Sequence, residues 1–257
     1  MIETNRRRPA QRIRRLVLAS ILAAGMWAPV TAQDAAPDYQ AIVAAPDRSD
    51  ADRQTDQRRN PARMLAFTGV KPGMKVLDME ANAGYSTELL ARVVGGSGVV
   101  YAQDSAEMIE RIVKDKFELR AQKPAMKNVL HVIRNFDDPI APDAAGLDLI
   151  TFFFAYHDTT YMAVDRAEMN RKLFAALKPG GLLVIADHSA RAGDGTAVGK
   201  TLHRIEESAL RQEIEAAGFK LTDEGNFLRH PEDPRDAPVF KPQVPVDEFV
   251  LKYQKPL

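Results

Sequence analysis

The sequence predicts an α/β fold, with helices around a mostly parallel sheet and an antiparallel final strand. Three observations carry this. From Val70 onward, short β-type segments alternate with helical ones, the pattern of a parallel sheet. Leu147 to Phe154 is an almost unbroken apolar run, as suits a strand buried on both faces. The last two strands, Phe219 to Glu224 and Glu248 to Gln254, are joined by a loop without a helix and so are expected to pair antiparallel.

The elements follow in order. Residues 1–32 carry six arginines before an apolar run, Leu16 to Ala28, and then small residues at Val30 and Ala32. That order describes a cleavable export signal, and an uncleaved anchor is the alternative. The apolar run is shorter than the roughly 20 residues that span a bilayer, so no membrane span is expected in the mature chain. Residues 33–50, rich in Ala, Asp and Pro, are expected to be a loose leader, and residues 51–257 to form the folded domain. Asp52 to Phe67 has helical character and stops at Gly69. Strands follow at Lys75 to Met79, Gly98 to Gln103, Val129 to Ile133, Leu147 to Phe154 and Leu182 to Asp187. Helices are expected at Thr87 to Val94, from the Ser105 cap to Ala121, at Tyr161 to Leu177 and at Glu206 to Ala217.

Composition narrows the chemistry. The chain has 257 residues and no cysteine, which excludes disulfides, thiolate nucleophiles and zinc–thiolate sites. The precursor is formally neutral. Without residues 1–32 it keeps 29 of its 35 basic and 34 of its 35 acidic residues, a formal charge of −5. A mildly acidic mature protein argues against a nucleic-acid partner. No metal constellation is legible, since spacing alone does not show whether three of the five histidines converge.

Ligands of open α/β sheets bind beyond the C-terminal strand ends, and four such places hold suggestive residues. The first is the turn Asp78-Met79-Glu80-Ala81-Asn82-Ala83-Gly84-Tyr85, where Gly84 lets backbone approach a ligand closely. Asp78 there either touches a ligand or caps the turn. The second is Asp104, twenty residues after Gly84 and placed to bind two ribose hydroxyls. The third is Tyr156-His157-Asp158. His157 is a candidate general base tuned by a nearby carboxylate, or else a helix cap. The fourth is Lys178-Pro179-Gly180-Gly181 leading to Asp187-His188. His188 and His203 are weaker candidates, whereas His131 and His230 read as structural. The proline-rich stretch His230 to Val246 is either a surface loop or a lid.

Leu177-Lys178-Pro179-Gly180-Gly181 followed by Leu-Leu-Val-Ile-Ala-Asp resembles the turn before the fifth strand of class I S-adenosylmethionine-dependent methyltransferases. The resemblance spans Asn60 to the C-terminus. A closer similarity is to exported, uncharacterised predicted methyltransferases. It rests on Asp52-Arg53, Arg58, Pro61, Lys71-Pro72-Gly73-Met74, Gly84-Tyr85-Ser86-Thr87, Tyr156-His157-Asp158, Leu202-His203-Arg204-Ile205 and Ala216-Ala217-Gly218-Phe219. The resemblance implies a Rossmann-like fold, S-adenosyl-L-methionine as cofactor and a small-molecule acceptor. It implies cofactor contacts at Asp78, Glu80, Asn82, Gly84, Tyr85 and Asp104, with Asn135 and Phe136 at the adenine edge. His157 is then the first choice of base, Tyr156 orients the acceptor, and Asp158 stands beside them. Glu80 and Asn82 occupy two positions where the family has glycine. Glu80 either repels a cofactor carboxylate or binds its ammonium group, and Asn82 tolerates the left-handed backbone that glycine supplies. A non-catalytic protein that retains the fold is the rival reading.

Overall fold

The computed structural model describes residues 1–3, 36–240 and 242–257. The export signal expected at residues 1–32 therefore lies outside the described residues beyond its first three. Among the described residues no helix is long and apolar enough to cross a membrane.

Seven strands form one sheet in the order β3-β2-β1-β4-β5-β7-β6. They are β1 (Lys75–Met79), β2 (Val99–Asp104), β3 (Val129–Ile133), β4 (Leu147–Phe153), β5 (Leu177–His188), β6 (Lys220–Gly225) and β7 (Glu248–Gln254). Strands β1 to β5 pair in parallel, and β7 runs antiparallel between β5 and β6. The central strands are apolar and buried because helices cover both faces, and two apolar clusters lie on the two sides. One centres on Leu77, Ile150, Phe152, Leu183 and Ile185, the other on Val76, Leu90, Val100, Leu149 and Val184. Neighbouring residues of one strand thus enter opposite cores, as the two-residue period of a strand demands.

The helices are α1 (Tyr39–Val43), α2 (Asp50–Arg59), α3 (Pro61–Thr68), α4 (Tyr85–Val94), α5 (Ala106–Met108), α6 (Lys116–Ala121), α7 (Arg166–Ala176), α8 (Gly199–Leu202) and α9 (Glu207–Ala216). Three expectations are corrected. The stretch 36–50 is no loose leader: Asp38 caps α1 through the Ala41 amide, Tyr39 donates to the Val70 carbonyl, and Ile42 and Val43 pack on the core. The single helix expected over 52–67 is two, broken at Asn60 with φ 43°, because the ring of Pro61 excludes helical backbone at the residue before it. The helix expected from Ser105 to Ala121 widens over Ile109–Val113 and breaks at Lys114, φ 49°.

Candidate active site at the strand ends

The turn after β1 is held from beneath. Asp78 ends fully buried, with Oδ2 accepting from Ser86 and Thr87 and Oδ1 from Thr151, all at 2.7–2.9 Å. Three hydroxyls hold it, so it caps the turn, and it does not line the strand-end cavity. Above it, Glu80, Asn82 and Gly84 all take left-handed backbone, φ 50°, 53° and 77°. The glycine-type turn therefore survives without two of its glycines. The Asn82 amide donates to Asp104 Oδ1 at 2.9 Å, and its side-chain nitrogen donates to Glu80.

Asp104 itself is fully buried and lies on neither strand-end cavity. Its second oxygen meets His131 Nε2 at 3.1 Å, and that ring stacks on Phe117. In this structure Asp104 fixes the turn and presents no free edge to a ribose. Gly84 is roofed by the protein's own side chains: an added Cβ would sit 2.9 Å from Arg120 Cδ and 3.3 Å from Phe117. Arg120 reaches there because it donates to the Ala83 carbonyl and pairs with Asp52 and Glu88. Burial alone would raise Asp52, but Arg120 holds it down at about 2.

A cavity of about 400 Å³ opens at the ends of β1, β4 and β5. It gathers Glu80, Asn82, His157, Asp158, His188 and His203, with Arg58 and Arg59 from the end of α2 on its wall. Val239, Phe240 and Pro242 of the proline-rich loop border it, the position of the lid reading, and Phe240 packs edge-on against His203 at 4.6 Å. Asn135 and Phe136 line a separate cavity of about 230 Å³ with Ser105 and Asp137. Phe136 also belongs to the core, stacked on Phe152. Tyr85 lies outside the larger cavity and donates to Asp56 at 2.6 Å.

Tyr156, expected to orient an acceptor, does not line the strand-end cavity. It is fully buried on the far side of its turn, where its hydroxyl donates to Glu213 and accepts from Asn170. Tyr156–Thr160 is a 3₁₀ turn, whose successive side chains diverge by about 120°, so His157 faces the cavity while Tyr156 enters the core.

His157 is fixed by Asp187 twice, through its amide (2.8 Å) and through Nδ1 (2.7 Å). Burial disfavours its charged form, but the Asp187 and Asp158 carboxylates outweigh burial and raise it above the ordinary histidine value. His188 has the opposite fate: burial, with the nearby His157, Arg58 and Arg59 charges, lowers it to about 3 against the pull of Asp187. Glu248, opposite His188 in the β5–β7 register, is lifted by burial to about 7 even with Arg58 bonded to it. Glu80 is pushed well above the carboxylate range by burial and by the Asp158 charge. One of its oxygens, Oε2, has no partner, and neither has Arg59 Nε on the same cavity. Sequence reasoning did not single out Arg59 or Tyr161, and it ranked His188 and His203 low, because only the fold brings their strand and helix ends together.

The fold and the strand-end cavity define a Rossmann-like protein of the class I methyltransferase type. The chain belongs to the protein-L-isoaspartate(D-aspartate) O-methyltransferase family (PCMT), whose model matches residues 36–192. A ubiquinone/menaquinone biosynthesis C-methyltransferase, UbiE, of Vibrio campbellii is 30% identical over 122 residues, which cover 48% of this chain and 44% of that one. The chain thus spans about half the length of the curated relatives it matches. A SAM-dependent methyltransferase from Aquifex aeolicus superposes with a TM-score of 0.58 at 20% identity, covering 85% of this chain and 98% of that one. The [4+2]-cyclase SpnF superposes with a TM-score of 0.56 at 17% identity, covering 80% and 81%, so the fold also carries other chemistry.

S-adenosyl-L-methionine is the cofactor of this class. The residues fit its amino-acid end: Glu80 Oε2, a buried acceptor, and Arg59 Nε, a buried donor, are unpartnered on one cavity, as an ammonium and a carboxylate require.

Proposed function

We propose that this protein transfers a methyl group from S-adenosyl-L-methionine to a small-molecule acceptor, and that it does so outside the cytosol. What carries the reading is the pair of unpartnered atoms, Glu80 Oε2 and Arg59 Nε, on the cavity that also holds His157, itself bonded to Asp187. Glu80 binds the cofactor ammonium and Arg59 its carboxylate, so Glu80 adapts the turn to the cofactor. Ser105 and Asn135, beside the second cavity, receive the adenosine end. When bound, the cofactor supplies an electrophilic methyl on a sulfonium. His157 Nε2 takes the acceptor's proton, and Asp187 holds the ring so that this nitrogen faces the cavity. A cavity of about 400 Å³ suits a small acceptor. Export rests on the basic, apolar, small-residue order of residues 1–32. N-terminal sequencing of protein from its native host tests it: a first residue near Gln33 supports export, and an intact Met1 on cytosolic protein refutes it.

The cofactor reading is tested by calorimetric titration of S-adenosylmethionine and its demethylated product into wild type and Glu80→Gln. Binding that weakens about 10- to 100-fold in the variant, the range for one charged hydrogen bond, supports it. Tighter binding in the variant means that Glu80 repels the cofactor. One observation favours the rival, a non-catalytic protein on the same fold: Arg120 lies across Gly84. No binding to wild type of either nucleoside establishes that rival.

A further inference from the structure

Three side-chain atoms on the cavity stand closer together than unlinked groups need to. His157 Nε2 lies 3.2 Å from His203 Nδ1, and Asp158 Oδ1 lies 3.3 Å from each. Among the described residues these three form the one cluster able to hold a metal ion. We propose that His157, His203 and Asp158 bind a zinc-like divalent cation, with a remaining coordination position open to the cavity.

The triangle has the size of a coordination face. Nitrogen and oxygen donors at about 2.0–2.1 Å from a tetrahedral ion stand about 3.3–3.4 Å apart. Two imidazoles and one carboxylate are donors suited to a first-row divalent ion, and the chain has no thiolate to offer. Three protein ligands with an open fourth position is the arrangement of zinc sites that act on a bound oxygen.

The surroundings fix each ligand. Asp187 accepts from His157 Nδ1 at 2.7 Å, which leaves Nε2 as the free lone pair, the carboxylate–histidine arrangement that supports metal ligands. The Tyr161 hydroxyl donates to Asp158. His203 is held at the end of α8 with left-handed backbone, φ 52°. It reaches His157 because α8 packs unusually close to the Tyr156–Thr160 turn. A Cβ on Gly199 would fall 2.1 Å from Thr160 Oγ1 and 2.8 Å from the His157 carbonyl, so only glycine permits this approach. Leu202-His203-Arg204-Ile205, prominent in the sequence and unused by cofactor binding, thereby gains a role.

A cation and a proton compete for His157 Nε2. With the ion bound, coordination would lower the pKa of a hydroxyl acceptor, whose proton would pass to solvent, and His157 would serve as a ligand and no longer as the base. The site does not depend on the cofactor, so its test needs none. EDTA-treated full-length protein is titrated with Zn²⁺ at fixed pH, and Co²⁺ is used to report geometry through its visible absorption. The expected result is one equivalent bound at micromolar affinity or better, with the intense spectrum of four-coordinate Co²⁺. His203→Asn keeps the left-handed backbone and should weaken binding at least 100-fold. Asp187→Asn should weaken it about 10- to 100-fold through His157. His230→Ala, outside the cluster, should leave it unchanged. Absence of binding to wild type, or equal binding by folded His203→Asn, overturns the proposal.

Discussion

The two halves of the sheet use buried acids in opposite ways. At the ends of β1 and β2, Asp78 and Asp104 are saturated by the protein's own hydroxyls, an amide and His131. At the ends of β4 and β5, Asp158 and Asp187 are paired with histidines that line a cavity. The same residue type at equivalent strand ends thus builds the turn in one half and poises ionisable groups in the other. What separates them is where the partner lies: the histidine on Asp104, His131, stacks on Phe117 away from the cavity, whereas the histidines on Asp158 and Asp187 line it.

The sharpest way to break the comparison is a pair of deletions. His157→Ala is expected to lower methyl transfer by about 10²–10⁴-fold, the usual contribution of a positioned base, while the folded state survives. A rate within a few-fold of wild type removes His157 from the chemistry. Asp78→Ala should do the reverse and destabilise the fold by about 2–4 kcal/mol, because it strands three hydroxyls, those of Thr87 and Thr151 fully buried. Denaturant midpoints measure this, and a loss below about 1 kcal/mol would mean that the turn does not depend on Asp78.

The pH dependence separates the two histidines flanking Asp187. His188 falls from an ordinary 6.5 to about 3 on folding, so its contribution to stability is present above 6.5 and is lost as pH falls toward 3. One such proton gives about 1.4 kcal/mol per pH unit, or about 2 kcal/mol between pH 6.5 and 5. His157 is raised, so its contribution is complete below 6.5 and is lost as pH rises above its folded value. Urea midpoints across pH 5–8 should fall toward acid, and a His188→Phe variant should flatten that limb alone. The smallest effect concerns Glu80. Burial and the Asp158 charge raise it, and a bound ammonium group favours its ionised form, so cofactor binding releases protons and tightens as pH rises. Calorimetry in two buffers of different ionisation enthalpy reads the release directly, and proton uptake would contradict the assignment.

Much of the fold was legible. The strands at Lys75–Met79, Val129–Ile133 and Glu248–Gln254 match the sequence reading residue for residue, because each has a strand's apolar content and clear flanking breaks. The break at Asn60 was also present, in Pro61, but the continuous helical pattern hid it. The widened turn at Ile109–Val113 and the reversal at Lys114 have no local signature. The site was legible in part. His157, Asp158, Glu80 and Asn82 do meet, since strand-end position follows from topology. The inward turn of Tyr156 and the internal use of Asp78 and Asp104 depend on which partners come within reach, and local sequence does not encode that. His203 and Arg59 arrive from distant segments, positioned by a close glycine contact and a helix end.

The placement of β7 has a consequence for the order in which the molecule is made. Arg58 and Glu248, whose ion pair abuts the cavity, are 190 positions apart in the chain. Strand β6 has no neighbour but β7, and β7 brings Glu248 opposite His188. During synthesis the parallel strands emerge first and the closing strand last, and closing so long a loop is the slow step in folding. Until that final segment docks, β5 is an open edge, and His188 and Arg58 lack their partner Glu248. Shortening the chain by its last ten residues would therefore remove β7, leave β6 without its partner strand and strip His188 and Arg58 of Glu248.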